Sequence, residues 1–246
     1  MDRLLRLVQL CAGMLLLGTV VLSLGCGGSG KTRFRMMNAV PDESSLDMLV
    51  DSAKVASNIA YGTSTDYQSV TSGSRQVQID PSGTANSLLQ QSISFSSGSD
   101  TTIVASNFSS SIAALVLTDD NSAPSSGDFK LRLVNASPGL GPVDIYIVTP
   151  GTDLNTVSPT LSNLAFDAAT SYQSLTAGNY EVVLTLVGQK FSAIDTGSLA
   201  FSSGQVRTFV ALNSQSGGFS VGSGWGMVHG TDHKKFPLHS SYRQVR

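Results

Sequence analysis

Hydrophobic and polar positions divide this chain into two unlike parts. Leu7 to Leu24 is an uncharged, mostly apolar run of 18 residues behind a short start carrying Arg3 and Arg6. From Thr32 the pattern becomes alternation. Thr32-Arg33-Phe34-Arg35-Met36-Met37-Asn38-Ala39-Val40-Pro41 alternates polar and apolar side chains and stops at a proline, which predicts a half-buried strand. Further on, Phe129, Leu131 and Leu133 alternate with Lys130 and Arg132. Val143, Ile145 and Ile147 face one way, with Asp144 and Tyr146 facing the other. Tyr180 to Val187 and Val206 to Leu212 are longer apolar and β-branched runs. Turn formers at 137–139, 177–179 and 202–204 separate these segments. The spacing, about seven short strands per hundred residues with no amphipathic helix, predicts an all-β fold of immunoglobulin-like sandwiches.

The alternating part repeats itself. Arg35-Met-Met-Asn38-Ala39-Val-Pro41 recurs as Arg132-Leu-Val-Asn135-Ala136-Ser-Pro138, and Leu46-Asp47-Met48 as Val143-Asp144-Ile145, both 97 residues on. Ser57-Asn58-Ile59-Ala60-Tyr61 matches Ser162-Asn163-Leu164-Ala165-Phe166, and Tyr67-Gln68-Ser69 matches Tyr172-Gln173-Ser174, both 105 on. Ser92 to Gly98 matches Ser198 to Gly204, 106 on. Order is kept, and the spacing changes where Pro150-Gly151-Thr152-Asp153 lengthens a loop. This predicts two tandem copies of one unit: 32–118 and 129–216, joined by a linker at 119–128 rich in turn formers. A C-terminal edge strand and flexible tail are expected over 217–246.

The apolar start changes the picture of where the protein works. A positive end, an apolar run and the closing Ser23-Leu24-Gly25-Cys26 have the layout of an export signal with a small residue before the cut. Cys26 directly after the cut is similar to the lipobox of bacterial lipoproteins, although Ser23 stands where Leu is preferred. The expectation is a signal at 1–25, a lipidated Cys26 and a flexible tether at 26–31. An uncleaved membrane helix is the alternative, since the run is just long enough. Gly25 to Thr32 also satisfies the phosphate-loop pattern G-x-x-x-x-G-K-[ST]. That loop needs a following helix, and here an alternating strand ending at Pro41 follows, so nucleotide binding is not expected.

Charge and cysteine content narrow the function classes. Without residues 1–25, which hold Arg3, Arg6 and Asp2, 13 Lys and Arg remain against 16 Asp and Glu. No basic patch serves nucleic acid. Cys11 lies inside the signal, so the exported part has no disulfide and rests on its apolar core. Ser, at 39 residues, and Gly, at 24, suit exposed strand faces and tight turns.

Taken together, Arg-x-x-Asn-Ala-[Ser/Val]-Pro, [Leu/Val]-Asp-[Met/Ile] and Tyr-Gln-Ser-[Val/Leu]-Thr-x-Gly resemble the bacterial domain of unknown function family numbered 4397. The resemblance covers nearly all of 31–214. It implies an exported β-sandwich repeat without established catalytic activity and supplies no active-site residues. The family form has an acidic residue after the Pro; Asp42 keeps it and Gly139 does not.

Candidate sites are few. Asp47 and Asp144 occupy one slot in both copies, either as metal or recognition carboxylates or as solvent-facing or backbone-capping carboxylates at a strand start, helping a loop that begins at Asn38 or Asn135; recurrence favours the structural role. Tyr67 and Tyr172 are either a paired recognition surface or inward tyrosines bonded to backbone, as in the tyrosine corner of sandwiches. Asp119-Asp120-Asn121 with Asp128 offers oxygen ligands for calcium, although a solvated linker explains it as well. His229, His233 and His239 fall in the tail, where Pro237 and preceding glycines argue against a zinc-binding helix. No nucleophile–histidine–acid arrangement is credible, so catalysis and cofactors are not expected. The reading is a lipid-anchored envelope or surface protein, sorted to the outer membrane in Gram-negative cells. It would bind a protein or polysaccharide partner, or serve as a passive structural part.

Overall fold

The computed structural model describes residues 31–213 and the strand Phe219–Val228. The expected signal with Cys26, and the tail with His229, His233 and His239, lie outside the described residues.

Eight strands make the first half: β1 (Arg33–Asn38), β2 (Ser45–Val50), β3 (Ala53–Ala60), β4 (Gln68–Ser69), β5 (Gly73–Pro81), β6 (Leu89–Phe95), β7 (Asp100–Ser106) and β8 (Ala113–Asp119). They form two four-stranded sheets, β4-β1-β7-β8 and β3-β2-β5-β6. One apolar cluster joins the sheets face to face: Phe34, Met36 and Ile103 from the first meet Leu46, Met48, Val77, Ile79 and Phe95 from the second. Phe34 and Phe95 are tilted rings with centroids 5.6 Å apart.

The second half consists of β9 (Asp128–Asn135), β10 (Val143–Val148), β11 (Leu161–Leu164), β12 (Ala168–Ala169), β13 (Gln173–Thr176), β14 (Gly178–Leu186), β15 (Ile194–Phe201), β16 (Gln205–Asn213) and β17 (Phe219–Val228). Its sheets run β12-β9-β16-β17, with β13 also on β9, and β11-β10-β14-β15. The strand order of the first half therefore returns. Its core is again apolar, with Phe129 stacked on Phe201 at 4.3 Å.

One pairing departs from an immunoglobulin domain, whose sheets are antiparallel. β1 runs parallel to β7, and β9 parallel to β16. A parallel pair needs a long crossover, and here the chain traverses the opposite sheet before returning beside its first strand. The loops between β2 and β3 and between β10 and β11 also differ. Asp51 and Ser52, at φ 48° and 68°, form a two-residue hairpin turn of the kind that needs positive φ twice. The corresponding span after Val148 carries a short 3-10 turn, Leu154–Thr156, on the lengthened loop.

The two sandwiches also share a core. Met37, Ala39 and Val104 from the β4-β1-β7-β8 sheet pack with Val134, Ala136, Val210 and Leu212 from the β9 sheet. Alternation along β1 thus feeds two cores: Phe34 and Met36 turn inward, while Arg35 and Met37 turn to the neighbouring sandwich. Gly62 sits against this seam, and a Cβ added there would meet Leu212 Cδ1 at 3.5 Å. Tyr61 Oη donates to the Asn213 carbonyl at 2.5 Å, and Ser106 Oγ to Asp167 Oδ1 at 2.6 Å. These contacts align the ends at which β1 and β9 finish.

Candidate functional site

Toward the other end, the seam is polar. Arg35 follows Phe34 on β1 and Arg132 follows Leu131 on β9, so strand alternation turns both guanidiniums out of their own cores. The neighbouring sandwich covers them, leaving Arg35 5% and Arg132 3% exposed. The charged face of each strand is therefore buried as well as the apolar face, which strand alternation alone does not convey.

Each guanidinium lies over a tyrosine. Arg35 Cζ is 4.7 Å from the centre of the Tyr67 ring, and Arg132 Cζ is 4.7 Å from that of Tyr172. Desolvation strengthens such cation–π contacts. Burial also pushes the hydroxyl of Tyr67 well above its ordinary pKa, and that of Tyr172 in the same direction. Both are neutral donors at physiological pH. Neither hydroxyl is bonded to backbone as a tyrosine corner requires. Tyr67 donates to the Asp119 carboxylate and accepts from Asn121, while Tyr172 lies 3.4 Å from Thr208 Oγ1.

Asp119 is the centre of this arrangement. Its side chain is fully buried. Arg132 Nη2 donates to Oδ1 at 2.5 Å, Thr102 Oγ1 to Oδ2 at 2.5 Å, and Arg35 Nε reaches Thr102 Oγ1 at 2.8 Å. Arg35 Nε also stands 3.9 Å from Asp119 Oδ2. Asp119 was expected in a solvated linker or as a calcium ligand; it is the last residue of β8, and its oxygens serve arginine, threonine and tyrosine. Asp120 pairs with Lys130 at 2.6 Å, and Asn121 donates to Asp100 at 2.7 Å. Lys130 and Ser122 hold the Asp120 carboxyl at a pKa of about 2. Asp100 is drawn below its ordinary value because bonds from Arg33 and Asn121 outweigh its burial. The acidic stretch is thus part of the seam.

Asp47 and Asp144 lie elsewhere, on β2 and β10. Asp47 accepts from Lys54 Nζ at 2.6 Å, Asn58 N–H at 2.9 Å and Ser82 Oγ at 2.7 Å. Burial acts against its charge, but these donors prevail and lower its pKa to about 2. Asp144 accepts from the N–H groups of Asn163 and Gly188 at 2.9 and 2.8 Å. In both cases the carboxylate holds a positive-φ Asn, at Asn58 and Asn163, on the adjoining strand. Asn38 and Asn135 are also fully buried: Asn38 Nδ2 donates to the Ile59 carbonyl at 3.0 Å and Asn135 Nδ2 to that of Gly141 at 2.7 Å. The repeated Asp and Asn lace loops, and the repeated Arg and Tyr build the seam.

Sequence reading singled out the tyrosines of the seam but missed Arg35, Arg132, Thr102, Thr208 and Asp119 as partners. The signal was present in the 97-residue recurrence of Arg three residues before Asn. Among the described residues, no group of three or more His, Cys, Asp or Glu side chains is placed to hold a metal ion.

The aligned loop end has a different surface. Phe191 is 62% exposed, and Val187, Leu186 and Phe108 are exposed as well. Phe108 follows β7, and the other three flank or occupy the β14–β15 turn.

No curated protein matches the chain. Similar solved structures include CBMbc (family CBM26) from Eubacterium rectale Amy13K in complex with maltoheptaose, at 9% identity and TM-score 0.27, covering 81% of this chain and 98% of that one. Another is a streptococcal virulence factor that binds alpha-glucan, at 10% identity and TM-score 0.26, covering 77% and 96%. Likenesses this distant carry no argument about what this chain binds. Residues 32–146, the first sandwich together with β9 and most of β10, match the family model described as "Domain of unknown function (DUF4397)".

Proposed function

We propose that the protein is a lipid-anchored component of the bacterial cell envelope, built from a tandem duplication of one immunoglobulin-like unit. In this reading it acts as a binding or adhesion module for an envelope protein or polysaccharide. One observation carries the binding role. Phe108, Leu186, Val187 and Phe191 are exposed at the loop end, whereas β1 enters the fold at the opposite end. Among the described residues, four of the five exposed large apolar side chains lie at this end, Val116 on β8 being the exception, and such a grouping marks an interaction surface. An anchor at Cys26, a few residues before β1, holds that end outward.

A photoactivatable residue placed at Phe108, Phe191 or Ser94, with the protein in its native envelope, tests the reading. Ser94 is an exposed polar position on β6. Adducts from Phe108 and Phe191 but not from Ser94 are expected; adducts from none of the three would exclude binding through this end. Mass spectrometry of the same material reads the anchor as a diacylated or triacylated Cys26 at the new N-terminus.

The second reading, a passive spacer, is favoured by the seam itself. Two sandwiches joined through buried apolar and ionic contacts keep a fixed spacing. The absence of any adduct would support that role.

A further inference from the structure

The chain enters and leaves the described fold on one side. It enters at β1, whose first residue, Arg33, lies opposite Asp100 on β7. β8 returns beside β7 and finishes at Asp119, opposite the same Asp100. Arg132 on β9 donates to Asp119 at 2.5 Å, so β9 begins beside the start of β1. β16 opens there too, with Val206 opposite Lys130 and the Gly204 N–H donating to the Asp128 carbonyl at 2.8 Å. β17 runs antiparallel to β16, from Phe219 opposite Asn213 to Val228 opposite Gln205. Val228 therefore stands at the end where Arg33 begins. Residues 229–246 are delivered to the side on which Cys26 precedes β1.

Charge divides the chain at the same point. Residues 26–228 carry 9 Lys and Arg against 15 Asp and Glu, whereas 229–246 carry Lys234, Lys235, Arg243 and Arg246 against Asp232 alone. Phe236, Leu238 and Tyr242 are interleaved with these cations. A basic segment with aromatic and apolar side chains suits the headgroup layer of an anionic bilayer. The loops at this end do not supply such a surface: Arg75 is paired with Asp51 at 3.2 Å and Lys130 with Asp120 at 2.6 Å. The acidic body is repelled by an anionic bilayer, and the segment is drawn to it. Each Lys or Arg close to such a surface shifts the bound-to-free ratio roughly fivefold, and a net three shift it roughly a hundredfold.

We propose that segment 229–246 is a second membrane contact, with Lys234, Lys235, Arg243 and Arg246 against the anionic phospholipid headgroups of the bilayer that holds Cys26. The inference rests on the anchor proposed above, which brings that bilayer to this end. A single tether of a few residues leaves the fold free to tip toward the surface. Two attachments at one end hold Phe108, Leu186, Val187 and Phe191, exposed at the other, away from the bilayer.

The test uses the protein extracted from its native membrane, with an environment-sensitive fluorescent amino acid at Ser240 or, as control, at Ser110, exposed in the turn after β7. Each is reconstituted in vesicles of phosphatidylcholine, alone or mixed with phosphatidylglycerol. With phosphatidylglycerol present, emission from Ser240 should move to the blue and that from Ser110 should not. Sodium chloride at about 1 M, which cuts the screening length to about 3 Å, should reverse the change. The variant Lys234→Gln/Lys235→Gln/Arg243→Gln/Arg246→Gln should lower the bound-to-free ratio by roughly a hundredfold. Equal Ser240 emission in the two vesicles, or a change that salt leaves in place, would overturn the proposal. Flotation with phosphatidylcholine vesicles in the same salt reads the anchor separately. Flotation without a Ser240 response sinks the second contact alone, and no flotation removes the anchor on which it rests.

Discussion

Arg132 of the second sandwich donates to the buried carboxylate of Asp119 in the first at 2.5 Å, and through this contact the charged faces of β1 and β9 share one counter-ion. Asp119 is the last residue of the last strand of the first half, so the chain neutralises the seam just before it crosses it.

Asp119→Asn keeps the shape and removes the charge. It leaves Arg35 and Arg132 buried beside a neutral amide, and loss of one partner from a buried ion pair costs roughly 3–5 kcal/mol. Chemical denaturation should show that loss. A change below about 1 kcal/mol would mean that the seam admits water or a replacement anion.

The apolar half of the seam is tested separately. Leu212 is 2% exposed and packs against Met37, Val104 and Val134. Leu212→Ala should cost about 2–5 kcal/mol, the range for truncating a buried aliphatic side chain. Because Leu212 joins the sandwiches, the transition should also become less cooperative, with calorimetric and van't Hoff enthalpies diverging.

Loop lacing by the repeated asparagines gives a third expectation. Asn38→Ala leaves the Ile59 carbonyl and the Val40 N–H without their partner, with both Asn38 and Val40 fully buried. Unpaired buried polar groups cost about 1–3 kcal/mol each. Amide exchange should quicken first in the 39–44 loop, before any change in β5 or β6.

Acid sensitivity follows from Asp47. Its pKa is lowered to about 2 in the folded protein, against an ordinary unfolded carboxyl value near 3.9. A depressed carboxylate adds stability that is complete above the unfolded value and is lost as pH falls through the folded one. Its contribution should therefore disappear between about pH 4 and pH 2. Carbon-detected titration of Asp47 reads this directly. Lys54→Met, which removes the 2.6 Å partner, should move the midpoint upward.

Much of the fold was legible because alternation and recurrence are local signals. Phe34/Met36 and Phe129/Leu131/Leu133 mark inward faces by period two alone. The position of Asp47 within its triplet, repeated at Asp144, pointed to a structural carboxylate, and both side chains accept backbone N–H groups. The seam was not legible, for a physical reason. A strand face that reads Arg-x-Arg or Lys-x-Arg looks solvated, and only the second sandwich makes it interior. Asp119-Asp120-Asn121 ahead of Ser and Pro likewise reads as a loop, although β8 runs into it and cations from β1 and β9 occupy its oxygens. The parallel pairs are hidden too, since β1 and β7 are separated by more than 60 residues. Two-residue strands such as β4 and β12 have no period to detect.

The shared core and the Arg132–Asp119 contact join the two sandwiches, and residual dipolar couplings of the backbone amides test most directly whether they move as one body. A single alignment tensor should fit 33–119 and 128–213 together. Two tensors differing in magnitude or orientation would mean that the halves move independently, and neither a shared counter-ion at Asp119 nor a fixed spacing between them would survive that result.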